Sequence, residues 1–407
     1  MQMKQRIILH CDVNNFFASC ECALNPSIKD MPVAVTGNKE KRTGIVLAKN
    51  TIAKSFGVNT GDTIFEAKKK CPDLICVNPH HDVYEKYSRR IRAIYEEYTD
   101  KVEPFGIDEC WLDITDTVKF FGSPMDVANT LRKRIREEIG VTISVGISFS
   151  KIFAKLGSDM KKPDAVTEIP YSNFKKITYH LPINSIIGIG KKLEKKLNAL
   201  NIFTLGDLAN SDIKLLKKRF GVVGVDLYNK VNGIDDNEVA SVEDFRQIKS
   251  IGNGTTTLVD IHTRYDIKSV VTFLADEIAT RLRFHGFMGT TIHVALRKSD
   301  LTWVSKSHTT NSPTNTEKDI TRESMKIIDE LYYPDMYIRS IRISVSNLQD
   351  ENMQLDLFDT KNNKQKLNKA IDKIRDKYGY KSITPLITKS NVINQDALRI
   401  DENNNEE

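Results

Sequence analysis

Residues 7–13, IILHCDV, form an apolar run interrupted by Asp12, the pattern of a strand buried on both faces. FFASCECAL, residues 16–24, then predicts a helix that Pro26 stops. PVAVT (32–36) and GIVLAK (44–49) are short strand-like runs on either side of the charged turn GNKEKR. Helical stretches are expected near 50–56, 63–71 and 82–99, and VEPFGIDECWLDI (102–114) reads as a hairpin turning at Gly106. Ser123 followed by Pro124 marks a helix start. Val127, Leu131, Ile135 and Ile139 keep one face of that helix apolar until Gly140 ends it. VTISVGISFS is a further strand that leads into the helix SKIFAKLGSDM. The order β-α-β-β-α-β implies an α+β sheet with helices on one side.

From 171 to 238 the pattern turns helical and basic. IIGIGKKLEKKLNALNIFTLGDL has the form of a helix-hairpin-helix, in which a Gly-x-Gly turn frees backbone amides to face a phosphate and lysines follow at once. A polar stretch, 239–247, reads as a linker into a second α+β region, 248–348. There TTIHVALRK and IRSIRISVS are expected strands, and VVTFLADEIATRLRF and EKDITRESMKIIDEL expected helices. Beyond 349 come QLDLF, an amphipathic helix carrying Leu367, Ile371, Ile374 and Tyr378, and a polar end, DENNNEE, whose composition predicts disorder.

A chain of 407 residues is long enough for several domains of ~100 to 200 residues each. No run approaches the ~18 apolar residues of a membrane span, and the first apolar run ends too soon for a secretory signal, so a cytoplasmic protein is expected. All six cysteines lie at or before Cys110 without paired CxxC motifs, so reduced thiols are expected rather than a zinc site. The net charge of +6 favours polyanionic partners only weakly. The clusters Lys39–Arg42, Lys161–Lys162, Lys191–Lys196 and Lys214–Arg219 say more than the sum.

Asp12 ends one strand and Asp108-Glu109 sits at a hairpin turn. If the three carboxylates converge, they suit hard divalent cations, and two such ions can clamp both oxygens of a phosphoryl displacement. Carboxylates alone leave a solvated turn equally open. ILHCDVNNFFASCE, GIDECWLDI and VGISFSKIFAKLGSDMKKP, in this order and spacing, resemble the three palm signatures of Y-family DNA polymerases, the translesion enzymes of DinB, UmuC and ImpB type. The likeness extends more weakly from about residue 7 to 348 and includes AKSFGVNTG and the helix-hairpin-helix.

The resemblance implies a multidomain α+β right-hand polymerase. Residues 1–17 and 78–170 would be a ferredoxin-like palm, 18–77 small fingers, 171–238 a helical thumb, 239–247 a linker, 248–348 an α+β little finger and 349–407 a C-terminal tail. It implies nucleotidyl transfer from dNTPs to a primer 3'-hydroxyl, error-prone because no segment matches a proofreading exonuclease. Asp12, Asp108 and Glu109 would be catalytic and hold two Mg2+ ions, with the Val13 carbonyl as a further ligand. Phe17 would be the steric gate against ribonucleotides. Asn15, Phe16, Thr51, Lys54 and Lys162 would join it at the dNTP, although Thr51 and Lys54 depart from the family's usual tyrosine and arginine. Ile45 and Leu47 would cover the base pair, and Gly188, Gly190, Lys191 and Lys192 would grip the DNA backbone. QLDLF, through Gln354, Leu355, Leu357 and Phe358, resembles the peptide that docks on the bacterial sliding clamp. The expected partners are primer-template DNA, dNTPs and that clamp, for a monomer with no membrane association. A polymerase-like subunit without catalysis, or a nucleotide cyclase, are the rival readings; the helix-hairpin-helix and QLDLF count against the second.

Overall fold

A computed structural model describes residues 6–37, 44–235, 237–241, 248–351 and 362–393, with side chains from Leu367 onward in the last stretch. These residues divide into two compact units, one ending at residue 241 and the other beginning at 248.

The first unit is built on a five-stranded sheet. Its order across the sheet is Val102–Phe105, Glu109–Asp113, Ile8–Val13, Ile143–Ser148 and Val166–Ile169. The neighbours are antiparallel except the last pair, which is parallel. Because side chains alternate along a strand, Ile8–Val13 serves two faces. Leu9, Cys11 and Val13 pack with Tyr84, Ile91 and Tyr95 of helix His81–Glu96 and with Leu131 and Ile135 of helix Pro124–Ile139. The second helix has its sequence-expected ends, with Ser123 in a capping box with Asp126 and Gly140 left-handed at φ 84°.

Ile8, His10 and Asp12 face the other way, toward helix Lys151–Met160, so helices cover both faces instead of the one side expected. Two glycines permit that closeness. A β-carbon on Gly146 would lie 1.9 Å from the Ala154 carbonyl oxygen, and one on Gly157 would meet the Gly146 α-carbon at 3.1 Å. The helix therefore rests on bare strand backbone, which the alternation of apolar residues alone did not reveal.

Residues 33–77 form a small α/β part, a three-stranded sheet in the order Val46–Lys49, Val33–Thr36, Ile75–Val77 with a core of Ala34, Val46, Ala53, Val58, Ala67 and Leu74. Short helices between Phe174 and Val231 pack around Leu197, Leu205 and Leu216, and this core runs on into Phe149, Phe153 and Leu156 beside the main sheet. Just beyond them the chain returns to the sheet: Val239 packs on Ile8, Trp111 and Ala154, and the Ala240 amide donates to Glu103 at 3.0 Å. The expected linker thus begins as docked chain.

The second unit has a four-stranded antiparallel sheet in the order Trp303–Thr314, Phe287–Lys298, Ile338–Asp350, Ser250–Ile261. Helices Arg264–Phe284 and Glu317–Leu331 bury Val270, Leu274, Ile278, Ile320, Ile327 and Ile328 against Ile292, Val294, Ile341 and Ile343. Residues 362–393 belong to this unit. In helix Asn362–Tyr378, Arg375 makes a two-pronged pair with buried Asp276 (2.8 and 3.2 Å), which also accepts from Tyr380 at 2.6 Å. Arg283 pairs likewise with Asp372 at 2.6 and 2.7 Å. The Leu258 amide, on the edge strand, donates to the Val392 carbonyl at 3.0 Å, and Ile393 joins the core.

Candidate active site

Antiparallel pairing sets Asp12 directly opposite Glu109 and His10 opposite Trp111, so all four side chains share the face covered by helix Lys151–Met160. One carboxylate oxygen from each of Asp12 and Glu109 and one ring nitrogen of His10 lie within 4.8 Å of one another. Asp108 stands at the turn before Glu109, where Gly106 adopts φ 80°, and its carbonyl accepts from the Val13 amide at 3.1 Å. The Asp108 side chain is not among the groups within 4.8 Å of one another; it faces the cluster through the charges of Asp12 and Glu109.

The charges report on each other. Burial first, and then the charges of Asp12 and Glu109, push the Asp108 carboxyl up to about 6. Burial works in the same direction on Glu109, but His10 and Lys155 outweigh it and hold that carboxyl well below its usual range. Lys155 lies 2.8 Å from Glu109 and 3.0 Å from Asp12, and Lys162 lies 2.7 Å from Asp12 and 2.9 Å from Asp159. Burial opposes charge on both lysines, yet the carboxylates keep each above its ordinary value. Oxygen donors at this separation, already balanced by ammonium groups, suit a divalent cation. His10 is fully buried, its Nε2 3.2 Å from Glu109 and its Nδ1 2.9 Å from the Ser158 hydroxyl.

Asn14 and Asn15 follow strand Ile8–Val13. Asn14 is buried and ties Ser144, Thr142 and the Asp164 amide together. Asn15 takes a left-handed conformation, φ 51°, and its amide donates to Thr51 at 3.2 Å, which brings the start of helix Thr51–Ser55 beside the first strand. Lys54 is exposed on that helix. Phe16 is buried in the core. Phe17 is half-buried and stacks on Tyr84, with ring centroids 4.3 Å apart and planes 14° apart.

Ile45 bridges to Thr63 and is exposed, while Leu47 is half-buried in its strand. Gly188, at φ 96°, and Gly190 precede helix Lys191–Asn198, with Lys191 and Lys192 exposed in its first turn. They lie outside the carboxylate cluster. Gln354, Leu355, Leu357 and Phe358 lie outside the described residues. Sequence reasoning missed His10, Lys155 and Glu21. The two-residue spacing from His10 to Asp12 was a readable signal of a shared face, whereas Lys155 needed the crossing of a helix over the strand.

Comparison with known proteins agrees with this geometry. Residues 11–159 match the impB/mucB/samB family, residues 248–357 that family's C-terminal domain, and residues 184–235 the DNA polymerase-iota thumb domain. The chain is 41% identical over 384 residues to a DNA polymerase IV of Acetivibrio thermocellus, which covers 93% of this chain and 96% of that one. It is 36% identical over 385 residues to DNA polymerase IV 2 of Bacillus subtilis, with 93% of each covered. A solved Y-family DNA polymerase chimera built on Dbh superposes with a TM-score of 0.75 at 25% identity, over 84% of this chain and 98% of that one. On this evidence the chain belongs to the impB/mucB/samB family, the DinB-like Y-family DNA polymerases.

Proposed function

We propose that this chain is a template-directed, error-prone DNA polymerase of lesion bypass, extending a primer 3'-hydroxyl with dNTPs in the cytoplasm as a monomer. The observation that carries the chemistry is the meeting of Asp12 and Glu109 across paired strands, with Asp108 pushed up by burial first and then by their charge. Asp12, Asp108 and Glu109, with the Val13 carbonyl, would hold two Mg2+ ions. When bound, such ions supply Lewis acidity to the attacking hydroxyl and neutralise charge on the triphosphate.

The chain's own residues do the rest. Lys162 and Lys155 hold the acids in place, and Lys162, on the rim of the cluster, is the cation for the triphosphate. Asn15, Thr51 and Lys54 line the path of the phosphates, while Phe16, its ring in the core, offers them only its backbone amide. Phe17 is the ring that a ribose 2'-hydroxyl would strike, and Ile45 and Leu47 cover the nascent pair. Gly188, Gly190, Lys191 and Lys192 bind the DNA backbone without reading sequence. Residues 354–358 dock on the sliding clamp.

The test is primer extension with Mg2+ on plain and lesion-bearing templates, with and without clamp. Asp108→Ala should lower extension by at least about a thousandfold while DNA binding by anisotropy persists. Extension that survives this change removes the metal assignment. Deleting 354–358 should abolish only the stimulation by clamp, and loss of clamp-free extension would make the segment structural.

A further inference from the structure

Phe17 does not stand alone. Its ring lies flat on Tyr84, and the His81 ring meets both edge-on, at centroid distances of 5.8 and 5.7 Å. Tyr84 is fully buried, and its hydroxyl donates to Glu21. Glu21 is 4% exposed and sits four residues after Phe17 on helix Phe16–Leu24, so the gate ring and this carboxylate share one side of the helix. The same Glu21 oxygen lies 2.9 Å from His80 Nδ1, at the start of helix His81–Glu96. Burial and the Glu21 carboxylate push the Tyr84 hydroxyl well above its usual range, so it remains a donor.

We infer that Glu21, bonded to Tyr84 and to His80, is a positioning residue that acts through Tyr84 and sets sugar selectivity by fixing the plane against which Phe17 lies. The inference rests on Phe17 being the gate. A ring excludes a hydroxyl only as firmly as it is held, and a half-buried phenylalanine near a helix start has rotamers that would swing it aside. The contacts close a ring of constraints: the helix carries both Phe17 and Glu21, Glu21 fixes Tyr84, and Tyr84 carries Phe17 on its face. A buried carboxylate is a costly way to fill a core, since an apolar side chain of that volume packs at no electrostatic penalty. What the acid adds is direction, because the bond to the hydroxyl fixes where the Tyr84 ring lies.

The experiment measures kcat/KM for dCTP and for rCTP opposite template G with the full chain and Mg2+, and takes their ratio. Phe17→Ala should lower the ratio about a hundredfold. Glu21→Ala should lower it about tenfold, and Tyr84→Phe, which keeps the stack and loses the bond, about threefold. Glu21→Gln, whose amide oxygen still accepts from Tyr84, should keep selectivity within about twofold of the parent. If Glu21→Ala lowers both nucleotides equally and leaves the ratio alone, Glu21 is structural and the inference fails. An unchanged ratio in Phe17→Ala sinks instead the reading of Phe17 as gate. Should Glu21→Ala not fold, Tyr84→Phe decides: a ratio equal to the parent overturns the inference, and a lowered one upholds it.

Discussion

The four-stranded sheet is written strand-helix-strand-strand-helix-strand, and the five-stranded one follows the same order before adding helix Lys151–Met160 and strand Val166–Ile169, but they seat the first strand differently. In the first unit Ile8–Val13 is central, paired on both sides; in the second Ser250–Ile261 is an edge. A central strand has every backbone group occupied and both faces covered, so a carboxylate at its end is held by neighbours on either side and by a helix above. That is where Asp12 meets Glu109, Lys155 and Lys162. An edge strand has an open side, and here the Leu258 amide bonds the Val392 carbonyl while Ile393 enters the core.

The buried charges differ accordingly. Asp276 is satisfied by a planar guanidinium fork and a phenol, an arrangement that locks an element. Around Asp12 two ammonium groups are shared among Asp12, Glu109 and Asp159, and the neighbouring Asp108 is pushed up to about 6 mainly by burial. Point charges on long stems can be exchanged for other cations, whereas a matched fork holds its partner in one geometry.

The sharpest way to break this comparison is at Gly146. Gly146→Ala forces a β-carbon into the Ala154 carbonyl, and we expect a loss beyond the usual ~1–3 kcal/mol of overpacking, read as collapse of soluble, cooperatively melting protein. A normal melt would mean the helix does not need bare backbone beneath it. Next in size is Arg375→Ala, which strands Asp276 and should remove about 3 kcal/mol from the second unit, seen as a lower melting transition with primer extension on free template retained. An unshifted transition would reduce the fork to ornament. Smallest is Lys162→Ala, which should raise the dNTP KM about tenfold with little change in melting, because Lys155 still balances Asp12. If melting falls and KM does not, Lys162 belongs with the staples.

Much of this was legible in the sequence. The apolar run ending on Asp12, the turn made by Gly106, the caps Ser123 and Gly140 and the turn at Gly188 act locally, and local signals survive reading one residue at a time. Two strands of the second sheet did not announce themselves. The buried face of Ser250–Ile261 carries Asn253, Thr255 and Thr257 beside Ile251, and Trp303–Thr314 is exposed along most of its length, so neither shows apolar alternation. The partners of the site residues were hidden for another reason. Lys155 reaches Asp12 only because Gly146 and Gly157 let a helix sit on a strand, and Glu21 reaches Tyr84 across a sequence separation of 63.

The cover over the edge strand has a consequence for synthesis. A ribosome delivers Ser250–Ile261 well before Val392 and Ile393, the residues that bond its open side and enter its core. At ~5–20 residues per second the nascent second domain spends several seconds with that flank bare, until residues 392 and 393 have emerged. Polymerase molecules cut short by a premature stop would therefore carry an unsealed β-edge and be marked for aggregation or degradation rather than for work on DNA.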